Sequence, residues 1–157
     1  MTPCRACPGD YRDSSPSHIH PAVVPSLELW HAMIGKNDLS DLATIVHPDA
    51  VFRSPMAISA YSPAPALILA LSTVIQVLKD FTYHRQLVSD DGLNVVLEFS
   101  ARVGEKKLKG IDLIRFDEQG RIVEFEVMVR PLSGLQALGA EMGARLGETL
   151  PAFKAKN

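Results

Sequence analysis

Two cysteines in 157 residues are too few to staple a small secreted scaffold, so the fold must rest on a packed core. Charge of one sign is also missing. Sixteen basic against eighteen acidic residues leave a net charge of −2, which excludes a broad basic footprint for nucleic acid or an anionic membrane. Long hydrophobic runs are absent too. The longest, Ala64 to Leu71, is interrupted by Pro65 and followed by Ser72, Thr73 and Gln76, well short of the ~20 residues of a membrane span. The opening residues lack the apolar stretch of a signal peptide and carry proline at 3, 8, 16 and 21. A soluble, cytoplasmic protein is expected, with a loosely ordered tail over residues 1–24 and one domain over 25–150.

The tail holds Cys4, Cys7, His18 and His20, four side chains able to surround zinc. Their spacing is not that of a zinc finger, and the proline-rich context favours an extension with reduced thiols. No metal and no cofactor is expected.

Ser26 can cap a helix running to about Lys36, with Leu27, Trp30, Met33 and Ile34 on one face. Asp38 opens a second short helix with Asp41 in the capping-box position, stopped by His47-Pro48. Ala50 to Ser54 reads as a short strand. From Pro63 to Lys79, Leu67, Leu71, Val74, Ile75 and Leu78 recur as one stripe, which predicts a helix with proline in its first turn. The period then changes to two. Strands are predicted over 81–89, 93–103, 107–116 and 121–130, separated by Asp91-Gly92, Gly104-Glu105 and Asp117 to Gly120. In the last strand Val123, Phe125, Val127 and Val129 should share the inner face. A final helix spans Ser133 to Leu146. The fold class is therefore α+β, a cone-shaped, curved antiparallel sheet wrapped on helices in the order ααβαββββ plus the C-terminal helix.

Short helices do not fill the wedge of such a sheet, so its open end should be a cavity. Trp30, Phe52, Phe99, Phe116 and Phe125 are expected to line it, with Val127, Leu71 and Met33 nearby; ordinary core packing is the alternative for each. Asp112 stands out. It shares strand parity with Ile114 and Phe116, and if that side faces inward a carboxyl stands among hydrocarbon. Raising its pKa from ~3.9 to above neutrality costs roughly 4 kcal/mol, within what burial can impose. A neutral acid there can donate to a substrate oxygen; a purely structural hydrogen bond is the other reading.

Three strings, Asn37-Asp-Leu-Ser-Asp-Leu42, His47-Pro-Asp-Ala-Val-Phe-Arg-Ser-Pro55 and Gly110-Ile-Asp-Leu-Ile-Arg-Phe-Asp-Glu-Gln-Gly-Arg-Ile-Val-Glu124, together with the order of elements, carry a resemblance over nearly all of residues 25–130. The chain resembles the superfamily of nuclear transport factor 2, the ketosteroid isomerases and the small SnoaL-like polyketide cyclases. That resemblance implies the cone fold, which hosts isomerases, cyclases, dehydratases, epoxide hydrolases and inert adaptors. It places Asp112 where the isomerases hold the protonated acid of their oxyanion hole and where the cyclases carry a single acid. Trp30 falls on the position of the oxyanion-hole tyrosine; an indole N–H can donate a hydrogen bond but not a proton. Ser54 falls where the isomerases have an aspartate base, and there this chain departs from their pattern.

Of the remaining candidates, His31 flanks the apolar face of the first helix and could act as a base near neutral pH. Tyr61 precedes the third helix and could stand at the pocket rim. Alternation does not decide which of Tyr83 and His84 faces inward. His47 is read as a helix-terminal residue at the dipole end. On the outer sheet face, Val96, Ile111, Leu113 and Met128 mix with charges of both signs, a pattern suited to a homodimer contact. In the last helix Gly139, Gly143 and Gly147 recur every four residues, each costing about 1 kcal/mol relative to alanine, and docking on its own domain or on a partner is equally compatible. The expected function is binding of a small apolar molecule, with acid-assisted isomerase, cyclase or dehydratase chemistry at Asp112 and Trp30 and His31 in support. The alternative is a non-catalytic ligand-binding or adaptor protein of the same fold.

Overall fold

A computed structural model describes residues 18–153. Cys4 and Cys7 lie outside the described residues. Among those described, three α-helices and five strands follow one another: α1 (Val23–Lys36), β1 (Val46–Arg53), α2 (Ala64–Val77), β2 (Lys79–Val88), β3 (Asn94–Val103), β4 (Lys106–Phe116), β5 (Ile122–Arg130) and α3 (Leu132–Leu146). Short 3-10 turns occupy Leu42–Ile45 and Leu150–Phe153. No helix among the described residues is long and apolar enough to cross a membrane.

The strands form one sheet in the order β1-β5-β4-β3-β2. Hairpins make β2 to β5 antiparallel, as the alternation predicts, but β1 runs parallel to β5, so the sheet is mixed. The edge position of β1 explains how Pro48 fits inside a strand that begins at Val46, four residues earlier than expected: on an edge, no ladder partner needs its missing N–H. His47 accordingly lies in β1 and not at a helix end, and its Nδ1 accepts from Asp49 N–H at 3.0 Å.

Two further local differences have physical causes. Helix α1 begins at Val23, so Pro25 falls in its first turn and Ser26 does not cap it; Ser26 Oγ donates instead to Gly120 O at 2.5 Å. Gly120 has φ +79°, and a Cβ there would run into Ala22 O, so the β4–β5 turn and the start of α1 require glycine. Residues 18–22, expected in the tail, include a backbone bond from His20 N–H to Gly92 O at 3.0 Å. The second helix shrinks to the 3-10 turn at Leu42–Ile45, with Asp38 Oδ1 accepting from Ser40 N–H.

The apolar interior divides into two clusters. The larger contains Trp30, Phe52, Leu67, Leu71, Leu97, Ile114 and Phe125; the smaller contains Phe99, Leu108, Val77, Leu78 and Leu138. Val74, Tyr83 and Val127 pack against both and mark the seam. A register shift at Arg115/Phe116 turns Ile122 inward, fully buried, while Val123 is only half-buried. Helix α3 docks on its own chain, on α2 and β3 to β5, with Leu138 and Leu146 buried.

Candidate functional site

The seam opens into a cavity of about 330 Å³. The sheet supplies its floor: Phe81 and Tyr83 from β2, Phe99 from β3, Asp112 from β4, Phe125 and Val127 from β5. Helix α1 gives Trp30 and Ile34, one turn apart, and α2 gives Leu71, Val74 and Ile75. Ser54 to Met56, Tyr61, and Leu138, Gly139, Met142, Gly143 and Leu146 of α3, with Gly147 just after it, complete the lining.

In this apolar shell one polar chain reaches the floor. Trp30 Nε1–H donates to Tyr83 Oη at 3.0 Å, and Tyr83 O–H donates to Asp112 Oδ2 at 2.6 Å. Asp112 is 6% exposed, and burial pushes its carboxyl up to about 7, opposed only by the bond from Tyr83. Tyr83 is driven well above the ordinary phenol range, first by burial and then by the neighbouring Asp112 charge. Among the described residues the Asp112 Oδ1 atom has no hydrogen-bond partner, and Asp112 lines the cavity. Ring contacts fix the assembly: Trp30 tilts against Phe125 at 5.2 Å, and Phe81 meets Tyr83 edge-on at 4.8 Å while stacking on Phe99 at 4.9 Å.

Register places Ser54 in relation to Asp112. Arg53, the last residue of β1, pairs with Glu126; that register continued by one residue would set Ser54 beside Val127, whose cross-strand row runs through Asp112 to Leu97. Two strand spacings separate Ser54 from Asp112 by about 10 Å. Ser54 Oγ accepts from Met56 N–H at 3.0 Å. Tyr61 is held to Phe52 by a pair of backbone bonds, and the rings stand 6.5 Å apart.

Of the residues expected at the site, Asp112, Trp30, Phe52, Ser54, Tyr61, Leu71, Phe99, Phe125 and Val127 line the cavity. Three do not. Met33 and Phe116 are buried in the larger cluster away from the cavity, Phe116 because it lies beyond the register shift near the closed end of the hairpin. His31 sits behind Tyr83, edge-on at 5.3 Å, half-buried; desolvation lowers its pKa despite a hydrogen bond with Gln86. His84 points outward, its Nε2 2.7 Å from Ser100 Oγ. Tyr83 is the residue that sequence reasoning left undecided, and pairing of Tyr83 with Phe99, whose parity is clear, would have placed it. Among the described residues no group of His, Cys, Asp and Glu is arranged to hold a metal.

Residues 27–125 match the SnoaL-like domain family. A solved structure of a steroid delta-isomerase from Pseudomonas aeruginosa is 60% identical over 85% of this chain and 97% of its own, with a TM-score of 0.81. A protein of cystatin-like fold from Silicibacter pomeroyi is 28% identical over 88% of this chain and 97% of its own, with a TM-score of 0.75. A nuclear transport factor 2-like protein from Mesorhizobium loti, 14% identical over 71% of this chain and 93% of its own, shares the fold with a TM-score of 0.62. None of the curated proteins matches.

Proposed function

The chain belongs to the SnoaL-like family, and from that footing we propose that it binds a small, mostly apolar, carbonyl-bearing molecule in the cavity, with Asp112 as the acid that meets the carbonyl oxygen. The observation that carries this reading is the single carboxyl on an apolar floor, tied by one oxygen to Tyr83 and free at the other. With a pKa of about 7, Asp112 is available as an acid near neutral pH, where general acids work best. Protonated at Oδ1, it donates to the carbonyl oxygen and stabilises the developing enol, while Trp30 and Tyr83 keep its other oxygen in place. Water takes the proton lost from the α-carbon and returns one to the γ-carbon as the dienol collapses to the conjugated enone, with Asp112 keeping its own proton, since among the described residues the lining offers no second carboxylate and no imidazole.

The Pseudomonas aeruginosa relative carries the name steroid delta-isomerase, which makes β,γ-unsaturated ketones the first substrates to try. The test is conversion of the β,γ-unsaturated isomer of octalone to the conjugated enone, followed by ultraviolet absorbance, alongside titration of the fluorescence of Trp30, the chain's one tryptophan, with octalone. Wild type should bind and turn over, and Asp112→Asn should lose the turnover. Equal turnover in that variant would remove the acid role.

Ser54 favours a second reading, binding without turnover, because the row that faces Asp112 ends in a hydroxyl and not in a base. Saturable binding without conversion would decide for it. The same proposal includes a homodimer through the outer sheet face. Met128 and Leu87 are exposed there, and Val96, Ile111 and Leu113 are only half-buried between paired charges. Sedimentation of wild type against Met128→Lys tests it.

A further inference from the structure

Resting on the ligand-binding reading of the same cavity, we propose that Gly143 is a specificity-determining residue, the position that sets how long a molecule can be and still reach Asp112.

Glycine inside a helix is unfavourable relative to alanine, so each glycine of α3 needs a reason. The others have one in the protein itself. A Cβ on Gly134 would meet Leu108 Cβ at 2.8 Å, and one on Gly139 would meet Met56 Cε, the end of a flexible side chain, at 2.5 Å, while Gly147 stands past the helix as its C-cap. Gly143 has none. A Cβ there would find nothing within 4 Å and its φ is not in the left-handed region; Gly143 lies in the last turn of α3, where its carbonyl accepts from Gly147 N–H. Neither packing nor backbone geometry accounts for the choice.

Its location does. Gly143 lines the cavity together with Gly139, Met142, Leu146 and Gly147, its neighbours on one helical face, while Glu141, Ala144 and Arg145 do not. Gly143 is exposed, so a side chain at this position would stand at the border between the cavity and solvent. One turn earlier the wall is already closed, because the Met56 side chain lies over Gly139. Space along α3 is thus left at Gly143, which lines the same cavity as Tyr83 and Asp112. A short molecule seated on Asp112 leaves that space empty; a longer one must occupy it.

The experiment compares two ketones that share the reacting enone and differ in length, two-ring octalone and four-ring testosterone, by Trp30 fluorescence titration of wild type, Gly143→Ala, Gly143→Met and Gly143→Leu. Thermal melts establish that each variant is folded, and Gly143→Ala should raise Tm. Wild type should bind both ketones. Gly143→Leu and Gly143→Met should weaken testosterone at least 10-fold and leave octalone within about 2-fold; where Leu does not fold, Met is read in the same way. Unchanged testosterone binding, equal loss of both ketones, or a wild type that takes octalone and not testosterone overturns the inference alone. A wild type that binds neither ketone overturns the ligand reading beneath it.

Discussion

The Tyr83 hydroxyl stands 2.6 Å from Asp112 Oδ2, and it is the one bond that favours the charged form of a carboxyl buried on a hydrocarbon floor. Tyr83→Phe removes that bond and also leaves Trp30 Nε1–H without its acceptor. The Asp112 pKa should rise above about 7, and the lost partner should cost about 1–3 kcal/mol of stability. A carbon-detected NMR titration of the carboxyl reads the first effect and denaturant unfolding the second. A pKa that stays put or falls would mean that another donor holds Asp112.

Burial of Asp112 also makes stability depend on pH, with a definite sign. The folded state keeps a proton that the unfolded chain loses near 3.9, so between that value and about 7 the folded state binds more protons, and stability falls as pH rises. From pH 5 to pH 8 this amounts to about 2–3 kcal/mol. His31 works the other way, since its lowered pKa adds stability as pH rises toward 6.5, above which the gain is complete. Asp38, Asp91 and Glu98 are held below the usual carboxylate range and change at lower pH. The difference between wild type and Asp112→Asn cancels all of these. That variant should gain on wild type steadily from pH 5 to pH 8, and parallel unfolding curves across this range would contradict the burial of the charge.

Gly120 tests how the start of α1 is locked. With φ at +79° and Ala22 O where a Cβ would stand, Gly120→Ala must distort the turn or push α1 away, breaking the Ser26 bond to Gly120 O. A loss of about 2 kcal/mol or more is expected in urea unfolding. A milder effect would show that the N-terminal segment yields easily.

Much of this architecture was legible because period and contrast agreed. In β3 the inward Val95, Leu97, Phe99, Ala101 and Val103 alternate with polar or smaller neighbours, and the same parity in β4 put Asp112 beside Ile114. Strand β2 lacks such contrast. Phe81 and Tyr83 alternate with Thr82 and His84, both sets fit a half-exposed edge strand, and a register shift between Tyr83 and Gln86 breaks the period. Periodicity, two in strands and 3.6 in helices, gives a face but not a depth, which is why Phe116 on β4 and Met33 on α1 face the core and still miss the cavity. The parallel pairing of β1 with β5 depends on the path of α2 and the loop before it, and no local pattern in Ala50 to Ser54 encodes it. The polar chain from Trp30 through Tyr83 to Asp112 joins residues 53 and 29 positions apart, a relationship that only the closed sheet creates.

The row shared by Ser54 and Asp112 supports a gain-of-function prediction. Ser54→Asp places a carboxylate about 10 Å from Asp112 across Val127, on the cavity side and half-exposed, where it should stay ionised at neutral pH. At that distance, with an effective dielectric of ~20, the new charge acts on Asp112 by about 1–2 kcal/mol, in the direction that keeps Asp112 protonated. The variant would thus hold a base and an acid at opposite ends of one row, able to take a proton from carbon while the carbonyl oxygen is stabilised. General-base assistance is worth about 10²-fold or more, so conversion of the β,γ-unsaturated isomer of octalone should rise by that factor over wild type. A second substitution, Asp112→Asn, should cancel the gain. A folded Ser54→Asp protein that binds octalone and converts its isomer no faster than wild type would mean that a ligand on Asp112 does not present its acidic carbon to this row.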